Sequence, residues 1–379
     1  MKTKLLALVV LVLLAGCGQQ TTLPRTRLLV SEALAKPVDA GFARALEPRQ
    51  FVFPQDHGPH PEFATEWWYY TGNLASADDR RFGYELTFFR FGLTPGQPQR
   101  ASDWAANSIY MAHFALTDVA GKQFYAFERF SRGAAGLAGA SGQPFRVWLE
   151  NWQVDGQGAD GTPMRLQARN GDLALDLTLA AGQGLVLQGD RGLSQKSAEA
   201  GNASYYYSFP RMPSRGTITV GGQSFEVQGD SWMDREWSTS ALGANQVGWD
   251  WFALQLDDGR ALMWYRLRLK DGGADPASSG LLIDADGSTR RLGRSDVTLE
   301  ATGQWRSPAT GITYPSAWRL HIPGERLELV VTPLLADQEL RLTTTYWEGA
   351  VDVSGSVTGR GYVELTGYDQ AEHEALRGR

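Results

Sequence analysis

From residue 51 onward, apolar residues in this chain recur at every second position in short runs, and a sustained helical period is hard to find. The runs at 83–90, 145–154, 173–179, 216–220, 261–270, 297–301 and 327–332 are set off mostly by nearby Gly, Asp or Asn. Alternation of that kind is the signature of strands with one face buried, and the bounding residues are those that make turns. The 43 glycines supply the turns, and the 13 tryptophans suit strands and pocket walls. The chain is read as all-β.

Two segments occur twice. Glu66-Trp67-Trp68-Tyr69-Tyr70-Thr71-Gly72-Asn73-Leu74, with Arg81 and a strand to Arg90, parallels Gly248-Trp249-Asp250-Trp251-Phe252-Ala253-Leu254-Gln255-Leu256, with Arg260 and a strand to Arg268. The hairpin built from 216–220 and 229–234 parallels one built from 349–353 and 359–364, which sets Glu364 at the position of Asp234. Four matched elements in the same order imply tandem antiparallel β-domains, 50–238 and 239–379, dividing within 238–247. Barrels are expected, because closure removes exposed strand edges.

The N-terminus carries a different signal. Lys2 and Lys4 precede an apolar run over 5–14, too short to span a bilayer, and then Leu14-Ala15-Gly16-Cys17. That tetrapeptide matches the lipobox of bacterial lipoproteins, so 1–16 reads as a leader removed before Cys17 and 17–49 as a lipidated tether. A helix over 28–46 is an alternative for part of it. Cys17 is the single cysteine of the 379 residues, which excludes an intrachain disulfide. Gly18 in place of Asp implies sorting to the outer membrane, with the body facing the periplasm. The formal charge of −6 becomes −8 once the two leader lysines go, which argues against nucleic acid as a partner.

Longer motifs carry a family resemblance. Asp56-His57-Gly58-Pro59-His60 with the Glu66–Leu74 run, Trp232-Met233-Asp234-Arg235-Glu236-Trp237, and Tyr346-Trp347-Glu348-Gly349 through Gly361-Tyr362-Val363-Glu364 resemble the carotenoid 1,2-hydratase (hydroxyneurosporene synthase) family, including its periplasmic lipoprotein branch. The resemblance spans roughly 51–369. It implies a pair of lipocalin-like β-barrels, relatives that act on polyenes, and association with ABC transporters of the lipoprotein-release type. It brings no cofactor.

Adding water to an isolated double bond needs a carboxylic acid kept neutral by burial and aromatic faces around the resulting cation. Strand alternation puts Asp230, Trp232, Asp234 and Glu236 on one face and Ser231, Met233, Arg235 and Trp237 on the other. If the first face points inward, Asp234 is the candidate acid with Glu236 as partner. If it points outward, they are solvated acids beside a surface Trp, and pairing with an arginine is a third reading. The match of Asp234 to Glu364 favours a structural role for both. Glu66, in phase with Trp68 and Tyr70, is a further acid candidate, with a carboxylate bonded to arginine as its plainer reading. Trp67, Trp68, Tyr70, Trp232, Trp237, Trp249 and Trp251 are candidate pocket wall or core. His57 and His60 are expected to cap a barrel mouth by hydrogen bonds. Pro59 between them and the absence of cysteine partners argue against zinc, even with His113. No Gly-X-Ser-X-Gly elbow supports hydrolase chemistry. The expectation is a membrane-anchored carrier enclosing a lipid or isoprenoid in its barrels, with a hydratase, isomerase or cyclase and a ligand-free docking protein as rivals.

Overall fold

The computed structural model describes residues 41–96, 102–239 and 242–369; Cys17, the leader and most of the tether lie outside them. The described elements are β-strands and three short 3-10 turns, at Gln55–His57, Arg294–Asp296 and Pro323–Glu325. The strands form two antiparallel sheets of 13 and 10 members, each curled into a lipocalin-like barrel. The first sheet runs from Thr65–Ser76 to Gln223–Ser238, the second from Gln246–Leu256 to Gly359–Leu365. No helix among the described residues is long and apolar enough to cross a membrane.

Curling is visible in contacts that link distant strands. Arg129, on the edge strand Gln123–Arg132, places its guanidinium 4.2 Å from the Trp152 ring, and Phe114 meets Trp152 edge-on at 5.7 Å. In the second sheet the turn Arg294–Asp296 joins the two edge strands directly, and Phe252 and Trp318 pack across the interior with centroids 5.5 Å apart. Both interiors are filled. Trp68, Tyr70, Leu86, Phe88, Met233 and Trp237 pack the first; Phe252, Trp264, Trp318 and Trp347 pack the second. The expectation of a ligand enclosed within a barrel is corrected here: large interior side chains take that space.

The body also begins earlier than residue 51. Ala45 is fully buried in the first core, Tyr205 donates its hydroxyl to the Glu47 carbonyl at 2.9 Å, and Arg49 pairs with Asp56 at 3.1 Å. The described part of the segment read as tether is thus docked on the barrel, and residues 41–46 carry no helix.

Strand register makes the duplication explicit. Tyr69 lies opposite Asp234 on one side and Thr87 on the other; Trp251 lies opposite Glu364 and Tyr265. Trp67 and Trp249, two residues earlier on their strands, are therefore equivalent, as are Asp234 and Glu364. The hairpin match needs correcting. Ser208 pairs with Asp234 as Glu348 pairs with Glu364, so the counterpart of 349–353 is 209–214, whereas Gly216 pairs with Val227 farther out. The first-barrel hairpin is longer, and a bulge between Phe209 and Met212, at Pro210, shifts its count.

The outer faces of the repeated strands meet. Tyr69, Tyr206, Trp232, Trp251, Met263 and Tyr362 form an apolar cluster between the barrels. Tyr69 and Trp251, the equivalent pair, touch edge-to-face at 5.2 Å. Gly83 permits the approach: a Cβ there would lie 2.6 Å from Ala350 Cβ. Asn73 donates to the Gly361 carbonyl (2.9 Å), Gln255 to the Pro210 carbonyl (2.9 Å), and Thr117 to Gln338 Oε1 (2.7 Å), fixing one barrel on the other.

Candidate functional site

Between the barrels lies a cavity of about 190 Å³, walled by Trp67, Tyr69, Phe89, Tyr206, Trp249 and Trp251. Five acids open onto it: Glu85, Asp234, Glu236, Glu348 and Glu364. The face that carries Asp234 and Glu236 points out of its own barrel, yet the second barrel covers it. Neither side of the inward-or-outward alternative anticipates a face that is external to its barrel and still buried.

Asp234 accepts hydrogen bonds from three neutral donors. Tyr206 Oη lies 2.6 Å from Oδ2, Trp232 Nε1 2.7 Å from Oδ1, and Ser208 Oγ also donates to Oδ1. Burial pushes its pKa up more strongly than those donors lower it, and the Glu236 charge adds to the rise, to about 7. A proton on this group is thus poised near neutrality. Glu236 has a different setting: Lys196 Nζ sits 2.9 Å from Oε1, and Ser204 donates to the same oxygen. Lys196 also faces the rings of Tyr265 (4.5 Å) and Tyr206 (5.2 Å).

On the facing wall Glu348 and Glu364 are directly paired across two strands, with Glu85 beside them. Burial raises the pKa of all three, and for Glu348 and Glu364 the charge of the neighbouring acids raises it further, Glu364 to about 8. Tyr69 donates its hydroxyl to Glu348, and Tyr346 Oη lies 3.4 Å from Glu85 Oε1. Tyr346 Oη also meets His113 Nδ1 at 2.7 Å, and His113 Nε2 meets Glu128 at 3.3 Å. The Glu85 wall therefore connects through tyrosine and histidine to a carboxylate nearer the surface.

This crowding predicts a pH signature. A carboxyl whose folded pKa exceeds its unfolded value contributes stability that is complete below the unfolded value, near 4.5 for Glu348, and is lost as pH rises through the folded one. Glu348→Gln should flatten the fall in melting temperature between pH 5 and pH 9. A slope equal to that of wild type would mean these acids are not held neutral.

The other sequence candidates lie elsewhere. Glu66 does not reach the cavity: it is fully buried at one end of the first barrel, bonded to Arg90 and Arg235. Burial raises its pKa, but the two guanidinium groups outweigh that and hold it far below the carboxylate range. The Glu66 assignment as catalytic acid is corrected accordingly, to the arginine-bonded alternative. Trp68, Tyr70 and Trp237 belong to the barrel interior, and Trp232 reaches the site through Asp234. His57 contacts Tyr207 Oη (2.6 Å) and the Asp160 carbonyl (3.1 Å), and burial lowers its pKa to about 4. His60 stacks on Trp237 at 3.7 Å and meets Asp56 at 3.0 Å, so neither histidine lines the cavity. No cluster of metal-ligating side chains occurs among the described residues.

Sequence reasoning missed Glu85, Glu348, Tyr206 and Lys196. A signal for two of them was present. Glu85 is in phase with Thr87, Phe89 and Phe91 on a strand whose opposite face, Tyr84, Leu86 and Phe88, is also apolar. Glu348 lies within the quoted C-terminal motif.

A family model described as AttH-like matches residues 44–368. The chain belongs to the AttH-like family. Among solved structures, a Nitrosomonas europaea protein assigned to AttH is 36% identical, with a TM-score of 0.79, covering 86% of this chain and 99% of that one. Kievitone hydratase from Nectria haematococca shares the fold at 17% identity and a TM-score of 0.64, covering 87% and 98%. CghA does so at 13% and 0.50, covering 87% and 97%. No curated protein matches the chain. These matches assign the AttH-like family and not the carotenoid 1,2-hydratase branch that the motifs resemble.

Proposed function

We propose that this AttH-like protein binds a hydrophobic unsaturated molecule between its barrels and protonates a carbon–carbon double bond from Asp234. One observation carries the reading: a buried carboxyl, bonded to neutral donors among the described residues and with its pKa near neutrality, opens onto an aromatic-walled cavity. General acids work best when their pKa lies near the working pH. In hydration, the Asp234 proton forms the new C–H bond, leaving a tertiary cation that the faces of Trp67, Tyr69 and Trp251 stabilise. Water then forms the C–O bond, and its surplus proton returns to the carboxylate, so no redox partner is needed. Loss of a neighbouring C–H proton instead gives isomerisation. The name of kievitone hydratase, which shares the fold, is consistent with this chemistry, and an isoprenoid or polyene is the substrate class.

The test uses linear isoprenoid alcohols and a prenylated phenol as probes, incubated with the protein in D₂O. Mass spectrometry should show solvent deuterium on carbon, with or without added water. Tight binding of the probes without label would favour the carrier reading, and no binding would favour the ligand-free docking protein. The motif ending at Cys17 supports a second proposal, that the body is held at the periplasmic face of the outer membrane by lipid. Service to an ABC transporter rests on the family resemblance. Cys17→Ser should block lipidation and leave the precursor uncleaved, read as retained mass and loss from the membrane fraction.

A further inference from the structure

The outer face of the first barrel carries an apolar band that begins inside the cavity and ends in solvent. Trp67, Phe89, Met111 and Phe130 stand in one row across four strands, each directly opposite the next. Directly opposed residues of antiparallel strands share a face. Thr65, Phe91 and Ile109 form the adjacent row. The inner members line the cavity, whereas Phe130 is 49% exposed and Ile109 36%.

More apolar surface gathers at the same end. Trp104 is 63% exposed and Leu93 55%. Leu93 is bonded to the Asn107 carbonyl at 2.7 Å, just before Ile109, and Asp103, next to Trp104, is bonded to Ala135 at 2.9 Å. Every exposed large hydrophobic residue among those described falls between Leu46 and Leu137, and none lies in the second sheet. An apolar surface so concentrated marks an interaction face.

The path of the chain indicates what covers it. The described body begins at Gly41 beside Pro95, and the Phe42 ring lies over Gly92, at the rim of this patch. The segment leading back to Cys17 therefore joins the body here. We infer that this end of the first barrel rests on the acyl layer of the membrane that holds the anchor, with the cavity mouth beside the bilayer. The inference rests on lipidation of Cys17, and it gives an apolar ligand a route along Phe130, Met111 and Phe89 that avoids water.

Trp104 makes the test direct. The full lipidated protein would be reconstituted into phosphatidylethanolamine–phosphatidylglycerol vesicles brominated on the acyl chains, which quench tryptophans that enter the layer. Wild type should show a quenched component that is absent from Trp104→Phe, and Ile109→Ser/Phe130→Ser should reduce it severalfold. Equal quenching of wild type and Trp104→Phe in anchored protein would overturn the inference and leave the patch to a protein partner. A protein that binds no isoprenoid would still show the quenching, so failure of the ligand reading is separately visible. Anchoring is checked in the same samples by the mass of the lipidated N-terminus.

Discussion

Asp234→Asn should abolish deuterium incorporation into the isoprenoid probes while leaving their binding and the fold in place. A positioned general acid contributes roughly 10²- to 10⁴-fold to rate, and the loss should fall within or beyond that range if protonation of carbon limits turnover. Asn fills nearly the same volume. Its amide oxygen can still accept from Trp232 and Ser208, and its NH₂ can donate to a reoriented Tyr206 hydroxyl. The stability result separates this role from an ion-paired one. In the folded protein Asp234 holds its proton to a pKa of about 7, against 3.8 when unperturbed. That difference is worth on the order of 4 kcal/mol, present below pH 4 and lost progressively as pH rises toward 7. The variant has no such loss, so it should melt near wild type at pH 4 and above it at pH 8. A variant that melts far below wild type at pH 8, with no label transfer by wild type, would end the acid-catalysis reading.

The fold was legible because β-structure writes itself into alternation. The duplicated Trp67 and Trp249 strands revealed two barrels, and the position of Glu364 opposite Trp251 repeats that of Asp234 opposite Tyr69. The site was legible only in part, because it belongs to neither barrel. Alternation assigns Asp234 and Glu236 to a face but cannot say that a second sheet will cover it. It also cannot bring Glu85, from one barrel, beside Glu348, from the other, a juxtaposition made by docking rather than by local sequence. Glu66 shows the converse. Its phase with Trp68 and Tyr70 correctly puts it inside the first barrel, where the interior is filled and two arginines await it. The hairpin mismatch has a local cause: the first-barrel hairpin extends farther, to Val220 and Gln223, so its tip glycines lie beyond the stretch that matches 349–353, and the bulge between Phe209 and Met212 shifts the count by one more.

Glu66→Gln should be among the most destabilising single substitutions in the first barrel, by about 3–5 kcal/mol, because it strands two buried cations. Arg235 has no exposed side-chain surface and Arg90 very little, and Glu66 is the carboxylate both of them contact. Arg235 also donates to the Gly58 carbonyl at 2.6 Å and lies over the Trp68 ring at 4.0 Å, so it cannot swing to solvent without unpacking the barrel end. Gln can accept from one guanidinium but carries no charge and presents an NH₂ group to the other. The pH dependence has the sign opposite to that of Asp234. Despite full burial, the folded pKa of Glu66 is depressed, so its contribution is present above the unfolded value near 4.5 and is lost as pH falls toward the folded one. Wild type should therefore lose stability on acidification in a way Glu66→Gln does not, and their melting temperatures should converge at low pH. Denaturant unfolding at pH 7 and pH 3 measures both effects. A near-neutral substitution at pH 7 would mean that the arginines find other partners, and Glu66 would return as a candidate for chemistry.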